Sequence, residues 1–95
     1  MDIVFKAIND PTRREILRFL THGPQNAGMI AQQFNMTKPS ISHHLDLLKQ
    51  AQLVDFSKKG QFLVYTLNKS GFESIHAWFQ PFTLFFELPK PKIRL

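Results

Sequence analysis

The tightest constraint on this chain lies between Asn26 and Gln50, where two short apolar-periodic segments flank the break Asn35-Met36. The first segment carries Ile30, Ala31 and Phe34 behind Asn26, a residue whose side chain suits a helix N-cap. The second opens at Thr37, another capping residue, with Pro39 in the first turn, where its missing N–H would have had no partner anyway. Ile41, Leu45 and Leu48 then recur at i, i+4, i+7 and fall on one helix face. Two short helices joined by about three residues make a helix-turn-helix. Such a unit cannot bury both apolar faces alone and needs a scaffold around it.

The flanking sequence supplies one. Val4, Phe5 and Ile8 predict a first helix over 3–9, and Asp10-Pro11 is the start signal of a second, with Asp as cap and Pro at the first helical position. Its stripe is Ile16, Leu17 and Leu20, with Arg13, Arg14 and Arg18 off it, and His22-Gly23-Pro24 stops it. After Gln52, β-branched and aromatic runs at Leu53 to Ser57 and Gln61 to Leu67 flank Lys58-Lys59-Gly60, read as a three-residue hairpin connection. Asn68 can cap a last helix. The expected fold is α+β, mainly α, in the order α-α-α-α-β-β-α: a winged helix-turn-helix domain over 1–88 with a basic, flexible tail at 89–95. Pro81 is expected to kink or split the last helix.

Opposite the buried stripe of the fourth helix lie Lys38, Pro39, Ser42, His43, Asp46 and Lys49. The first two turns are thus short, polar and cationic. Backbone N–H groups and Lys suit phosphates, while Ser and His reach base edges in a major groove. Lys58 and Lys59 at a ribbon tip suit the phosphates of a neighbouring groove. Each feature alone also fits an ordinary solvated surface. Twelve Lys and Arg against seven Asp and Glu give a net charge of +5, which fits a polyanionic partner, double-stranded DNA.

Other classes find less support. With no Cys there is no disulfide framework, thiolate zinc site or catalytic thiol. No Ser-His-Asp order with a supporting motif and no glycine-rich phosphate loop points to an enzyme. The apolar run Phe79 to Leu88 is interrupted by Pro81 and Glu87, short of a membrane span. Met1 to Ile8 lacks the apolar core of a signal peptide, so the expected location is the cytoplasm.

The last helix asks for a partner. Phe72, Ile75, Trp78, Phe79, Phe82, Phe85 and Phe86 span an arc of about 140°. Burying one large aromatic is worth roughly 1.5–3 kcal/mol, and so small a domain cannot hide all of them. A two-fold homodimer interface built from this helix and Val4, Phe5 and Ile8 of the first would do so. A lipophilic effector pocket at the same place is the alternative.

The segments "FKAINDPTRREILRFL", "AGMIAQQFNMTKPSISHHLDLLKQAQLV" and "KKGQFLVYTLN" resemble the ArsR-type winged helix repressors over about residues 2–80, and within them the metal-independent autorepressor branch. The resemblance implies a homodimer that blocks a promoter at a palindromic operator and leaves it on a protein or small-molecule signal. Its groove contacts fall on Lys38, Ser40, Ser42 and His43, and its wing contacts on Lys58, Lys59 and Gln61. His44, on the helix flank, is expected to be partly buried and hydrogen-bonded. The family's cysteine sensors near Asn26 to Ile30 have no counterpart here, and the last helix offers only Glu73 and His76 for a metal. No cofactor is expected. A metal- or ligand-responsive sensor and a winged helix that binds an acidic protein remain as alternatives.

Overall fold

Four side chains set where helices begin, each accepting from the backbone N–H three residues on. Asp10 Oδ2 accepts from Arg13 N at 2.9 Å, Asn26 Oδ1 from Met29 N at 2.8 Å, Thr37 Oγ1 from Ser40 N at 3.3 Å, and Asn68 Oδ1 from Gly71 N at 3.1 Å. The computed structural model describes residues 1–87; Leu88 and the tail expected at 89–95 lie outside the described residues. The elements are α1 (Asp2–Ile8), α2 (Pro11–Leu20), β1 (Gln25–Asn26), α3 (Ala27–Gln33), α4 (Lys38–Gln50), β2 (Val54–Lys59), β3 (Phe62–Leu67) and α5 (Lys69–Glu87).

Helix ends are closed by backbone geometry. After α3, Asn35 takes a positive φ of 51°, Asn35 N donates to Gln32 O at 3.2 Å and Met36 N to Ala31 O at 3.0 Å. This is a Schellman closure, with Asn as one of the few side chains that tolerate its left-handed position. It turns the chain from α3 into α4 within four residues. The same closure ends α4, with Gln52 at φ 60° and Leu53 N donating to Leu48 O at 3.0 Å. At the end of α1 Asn9 N donates to Lys6 O at 3.3 Å, and side chains meet the last-turn carbonyls as well. Arg13 donates to Lys6 O and Ala7 O, and Arg14 to Ile8 O.

The core is shared by α1 to α4, β2 and β3. Ile16, Ile30, Ile41, Leu45, Leu48 and Leu53 are fully excluded from solvent, with Val4, Ala7, Leu17, Leu20 and Tyr65 around them. The three stripe residues of α4 are thus all in the core, as their spacing requires.

The sheet differs from expectation in two ways. It has three strands in the order β1-β3-β2, because Gln25 and Asn26 pair antiparallel with Tyr65 and Val64. The hairpin is also tighter than the expected three-residue connection. Lys59 pairs with Phe62, so Lys58 and Lys59 belong to β2 and the loop is Gly60-Gln61. Gly60 has φ 61° while Gln61 has no positive φ, the pattern of a type II′ turn with Gly first.

Pro81 does not split the last helix, which runs unbroken to Glu87. Its ring denies the Ala77 carbonyl a backbone donor, but Ala77 and Pro81 are both exposed and that carbonyl can turn to water. The first half of α5 is tied to the body, through Gly71 against the Gln52 carbonyl, through Phe72 and Ile75 on the core, and through Trp78 against Phe5 of α1. The molecule measures 64 × 25 × 23 Å.

Candidate nucleic-acid interface

The face of α4 opposite its buried stripe is open. Lys38, Pro39, Ser40, Ser42 and His43 are all exposed, in contrast to Ile41 and Leu45 between and beyond them. Thr37 Oγ1 also donates to Ser40 Oγ at 3.1 Å, so Ser40 is turned toward the helix start. Lys49, one of the expected outward residues, is engaged elsewhere: its Nζ lies 4.0 Å from Asp46 and 4.3 Å from the centre of the Phe56 ring.

The wing stands beside the start of α4. A groove of about 250 Å³ is lined by Lys38 and Ser42 from α4, Gln61, Phe62 and Leu63 from the wing, and Asn26, Ala27 and Gly28 from the start of α3. Three residues expected at the interface, Lys38, Ser42 and Gln61, therefore share one concavity. Ser40, His43, Lys58 and Lys59 are exposed outside it. Lys58 and Lys59 are adjacent on a strand and so point to opposite faces of the ribbon, where a loop would have left both free at the tip.

Sequence reading passes over the apolar part of this surface. Phe62 is 50% exposed and Leu63 41% exposed on the wing, and Met29 stands exposed at the start of α3. Half-exposed apolar side chains beside Lys38 suit the deoxyribose and thymine methyl surface of a duplex as well as they suit protein. The signal for them is weak, since Phe62 and Leu63 fall in an ordinary strand pattern.

His44 is separate from this face. Its side chain is 16% exposed, and Nδ1 lies 3.2 Å from Arg13 Nη1 and 3.9 Å from Asp10 Oδ2. Asp10 is held below the usual carboxylate range, chiefly by the backbone N–H of Arg13 that it accepts, with the charge of Arg13 adding to this and burial opposing it.

On α5, exposure of the apolar arc rises away from the body. Phe72 and Ile75 are half-buried, Trp78, Phe79 and Phe82 are 44–48% exposed, and Phe85 and Phe86 reach 72% and 81%. Phe5 meets Trp78 edge-on at 5.5 Å, Ile8 is half-buried, and Val4 lies in the core of its own protomer. Glu73 pairs with Lys69 at 3.9 Å, and among the described residues no three metal-ligating side chains come together. Among those residues, too, no helix is long and apolar enough to cross a membrane.

Comparison with known proteins agrees with this geometry. Residues 10–55 match the family described as "Bacterial regulatory protein, arsR family". The chain is 53% identical to the transcriptional repressor SdpR of Bacillus subtilis over 78 residues, covering 82% of this chain and 87% of that protein. The crystal structure of a possible transcriptional regulator for arsenical resistance superposes with a TM-score of 0.76 at 30% identity, over 95% of this chain and 99% of that one. The solution structure of a homodimeric winged helix-turn-helix DNA-binding domain from Mycobacterium bovis, a possible ArsR-family regulator, gives 0.73 at 26% identity, over 86% and 76%. By these matches, the chain belongs to the arsR family of bacterial regulatory proteins.

Proposed function

We propose that the chain is a sequence-specific DNA-binding transcriptional repressor that acts as a homodimer on a palindromic operator, including that of its own gene. The observation that carries the reading is the exposed, cationic start of α4 sharing a groove with the wing, while the opposite face of the same helix closes the core. Lys38 meets phosphate, Ser42 and His43 read base edges in the major groove, and Ser40 supports the helix start. Lys58, Lys59 and Gln61 hold the flanking backbone. Two such faces related by a two-fold axis enter successive major grooves about 34–36 Å apart. The dimer forms through α5 and α1, where Trp78, Phe79 and Phe82 are uncovered in a single protomer, Phe5, Ile8, Phe72 and Ile75 flank them, and Val4 lies beneath. A protein or small molecule that alters that contact would release the DNA. The reading places the protein in the cytoplasm, with no catalytic role.

The test is fluorescence anisotropy on a fragment of the protein's own promoter and on a scrambled duplex, across a salt series. More than about tenfold preference for the promoter, with affinity falling steeply as salt rises, is expected. Replacing Lys58 and Lys59 together weakens both duplexes alike and reduces the salt slope by about one for each phosphate no longer neutralised. Absence of binding at low salt would overturn the reading.

A further inference from the structure

The Arg13 guanidinium joins two elements that otherwise meet only through apolar packing. Its Nε donates to Ala7 O at 2.6 Å and its Nη2 to Lys6 O at 3.2 Å, two carbonyls of the last turn of α1, of which Lys6 O also accepts the Asn9 N–H at 3.3 Å. Its Nη1 lies 3.2 Å from Nδ1 of His44 in the middle of α4. A guanidinium has donors only, so Nδ1 is the acceptor and the neutral ring carries its proton on Nε2. The backbone N–H of Arg13 is in turn held by Asp10 Oδ2 at 2.9 Å. One planar fork thus ties the end of α1 to α4 at the residue next to His43, and α1 is the helix that carries Phe5 to Trp78 of α5.

We propose that Arg13 is a positioning residue for DNA recognition: by locking His44 to the end of α1, it sets the pitch of α4 relative to the elements that pair the two protomers. This rests on the reading of the chain as a homodimeric DNA-binding protein. In such a dimer the distance and tilt between the two α4 helices follow from how each α4 is fixed to its own α1 and α5. A site held to within about half an ångström needs supporting side chains with locked geometry. The guanidinium suits this because its five donors sit in a rigid plane, whereas a lysine amine would satisfy these acceptors without fixing their relative direction. Direct phosphate contact by Arg13 is the rival role. It predicts a fall of about one in the salt slope on substitution, while positioning leaves the slope unchanged.

The experiment measures anisotropy on a footprinted operator, on the same operator with one base pair added or removed between half-sites, and on a scrambled duplex. It compares the wild type with Arg13→Gln, His44→Leu and His44→Asn, with thermal unfolding and sedimentation as checks of fold and dimer. The wild type is expected to prefer the native spacing. Arg13→Gln and His44→Leu lose about tenfold or more of that preference, the scale of one specific base interaction. Both keep their scrambled-duplex affinity, salt slope and dimer. His44→Asn, whose Oδ1 accepts in place of Nδ1, restores the preference. Unchanged spacing preference in Arg13→Gln, a reduced slope, or equal loss in His44→Leu and His44→Asn overturns the proposal. If Arg13→Gln fails to fold, the two His44 variants decide. A wild type that binds operator and scrambled duplex alike defeats the functional reading itself, and shows this before any variant is compared.

Discussion

The body of the molecule and its last helix obey opposite rules. From α1 to β3 the core residues are matched to one another: Ile16, Ile30, Ile41, Leu45 and Leu48 show no exposed surface at all, and the large apolar residues left open there, such as Met29, Phe62 and Leu63, are on the wing and at helix starts. On α5 the same kinds of side chain are left open, increasingly so toward Phe85 and Phe86. Hydrophobic burial acts on both at a similar free energy per area, so the difference is not one of composition. The body buries its own core, whereas α5 carries an apolar surface that the protomer leaves uncovered, the surface assigned above to the proposed homodimer. A monomer would leave these aromatics in water.

The largest effect that tests this contrast is in the body. Leu45→Ala removes a fully buried side chain from the centre of α4 and should cost about 2–5 kcal/mol, with little room for neighbours to close the gap. Chemical denaturation should show the loss to be independent of protein concentration. On α5 the expected signature differs in kind. Phe79→Glu with Phe82→Glu forfeits about 3–6 kcal/mol of association per protomer at roughly 1.5–3 kcal/mol for each ring. It should leave a folded monomer by sedimentation and abolish the concentration dependence of Tm. A variant that stays dimeric would place the interface elsewhere.

Between body and tail stands the joint at Gly71. A Cβ built there would overlap the Gln52 carbonyl oxygen, in a turn already committed to a left-handed Gln52. Gly71→Ala should therefore push α5 off its root at a cost of about 1–3 kcal/mol. Dimerisation should weaken along with stability, which separates it from Leu45→Ala. Normal dimer affinity in a destabilised Gly71→Ala protein would show that the joint does not aim the helix.

How far each region is legible in the sequence follows from how local its determinants are. The caps at Asp10, Asn26, Thr37 and Asn68 act over three residues, and each stands where its neighbours in sequence put it. The α4 stripe is equally local. By contrast, β1 is only Gln25 and Asn26, too short for any periodicity, and it exists because Tyr65 and Val64 lie across from it after some forty residues of chain. The wing is recognisable in sequence, but its register is not. Lys58-Lys59-Gly60 has turn composition, yet pairing of Lys59 with Phe62 extends the ribbon and moves the turn to Gly60-Gln61. Within the candidate interface, the outward face of α4 can be drawn from a helical wheel. Its closeness to Gln61 and Phe62 cannot, because that depends on how the hairpin folds back. The link from Arg13 to His44 spans thirty-one residues and has no periodic signature.

The smallest effect expected lies at Asp10, where a local signal and a long-range one meet in the body. Asp10→Ala removes the cap of α2 and should cost about 0.5–2 kcal/mol at neutral pH. The carboxyl is held below its ordinary value of 3.8 mainly because it accepts the Arg13 N–H, against the cost of desolvation. A carboxylate with a depressed folded pKa stabilises the fold above its unfolded pKa. That contribution fades as pH falls through the unfolded and then the folded value. The Tm gap between wild type and Asp10→Ala should therefore stay constant from neutrality down to about pH 5 and narrow below about pH 4. Because Asp10 belongs to the body, the gap should not change with protein concentration, in contrast to the α5 variant. A gap that persists at pH 3 would mean that the cap works through the oxygen atom alone and not through its charge. A gap that depends on concentration would mean that the network around Arg13 reaches the dimer interface even at neutral pH.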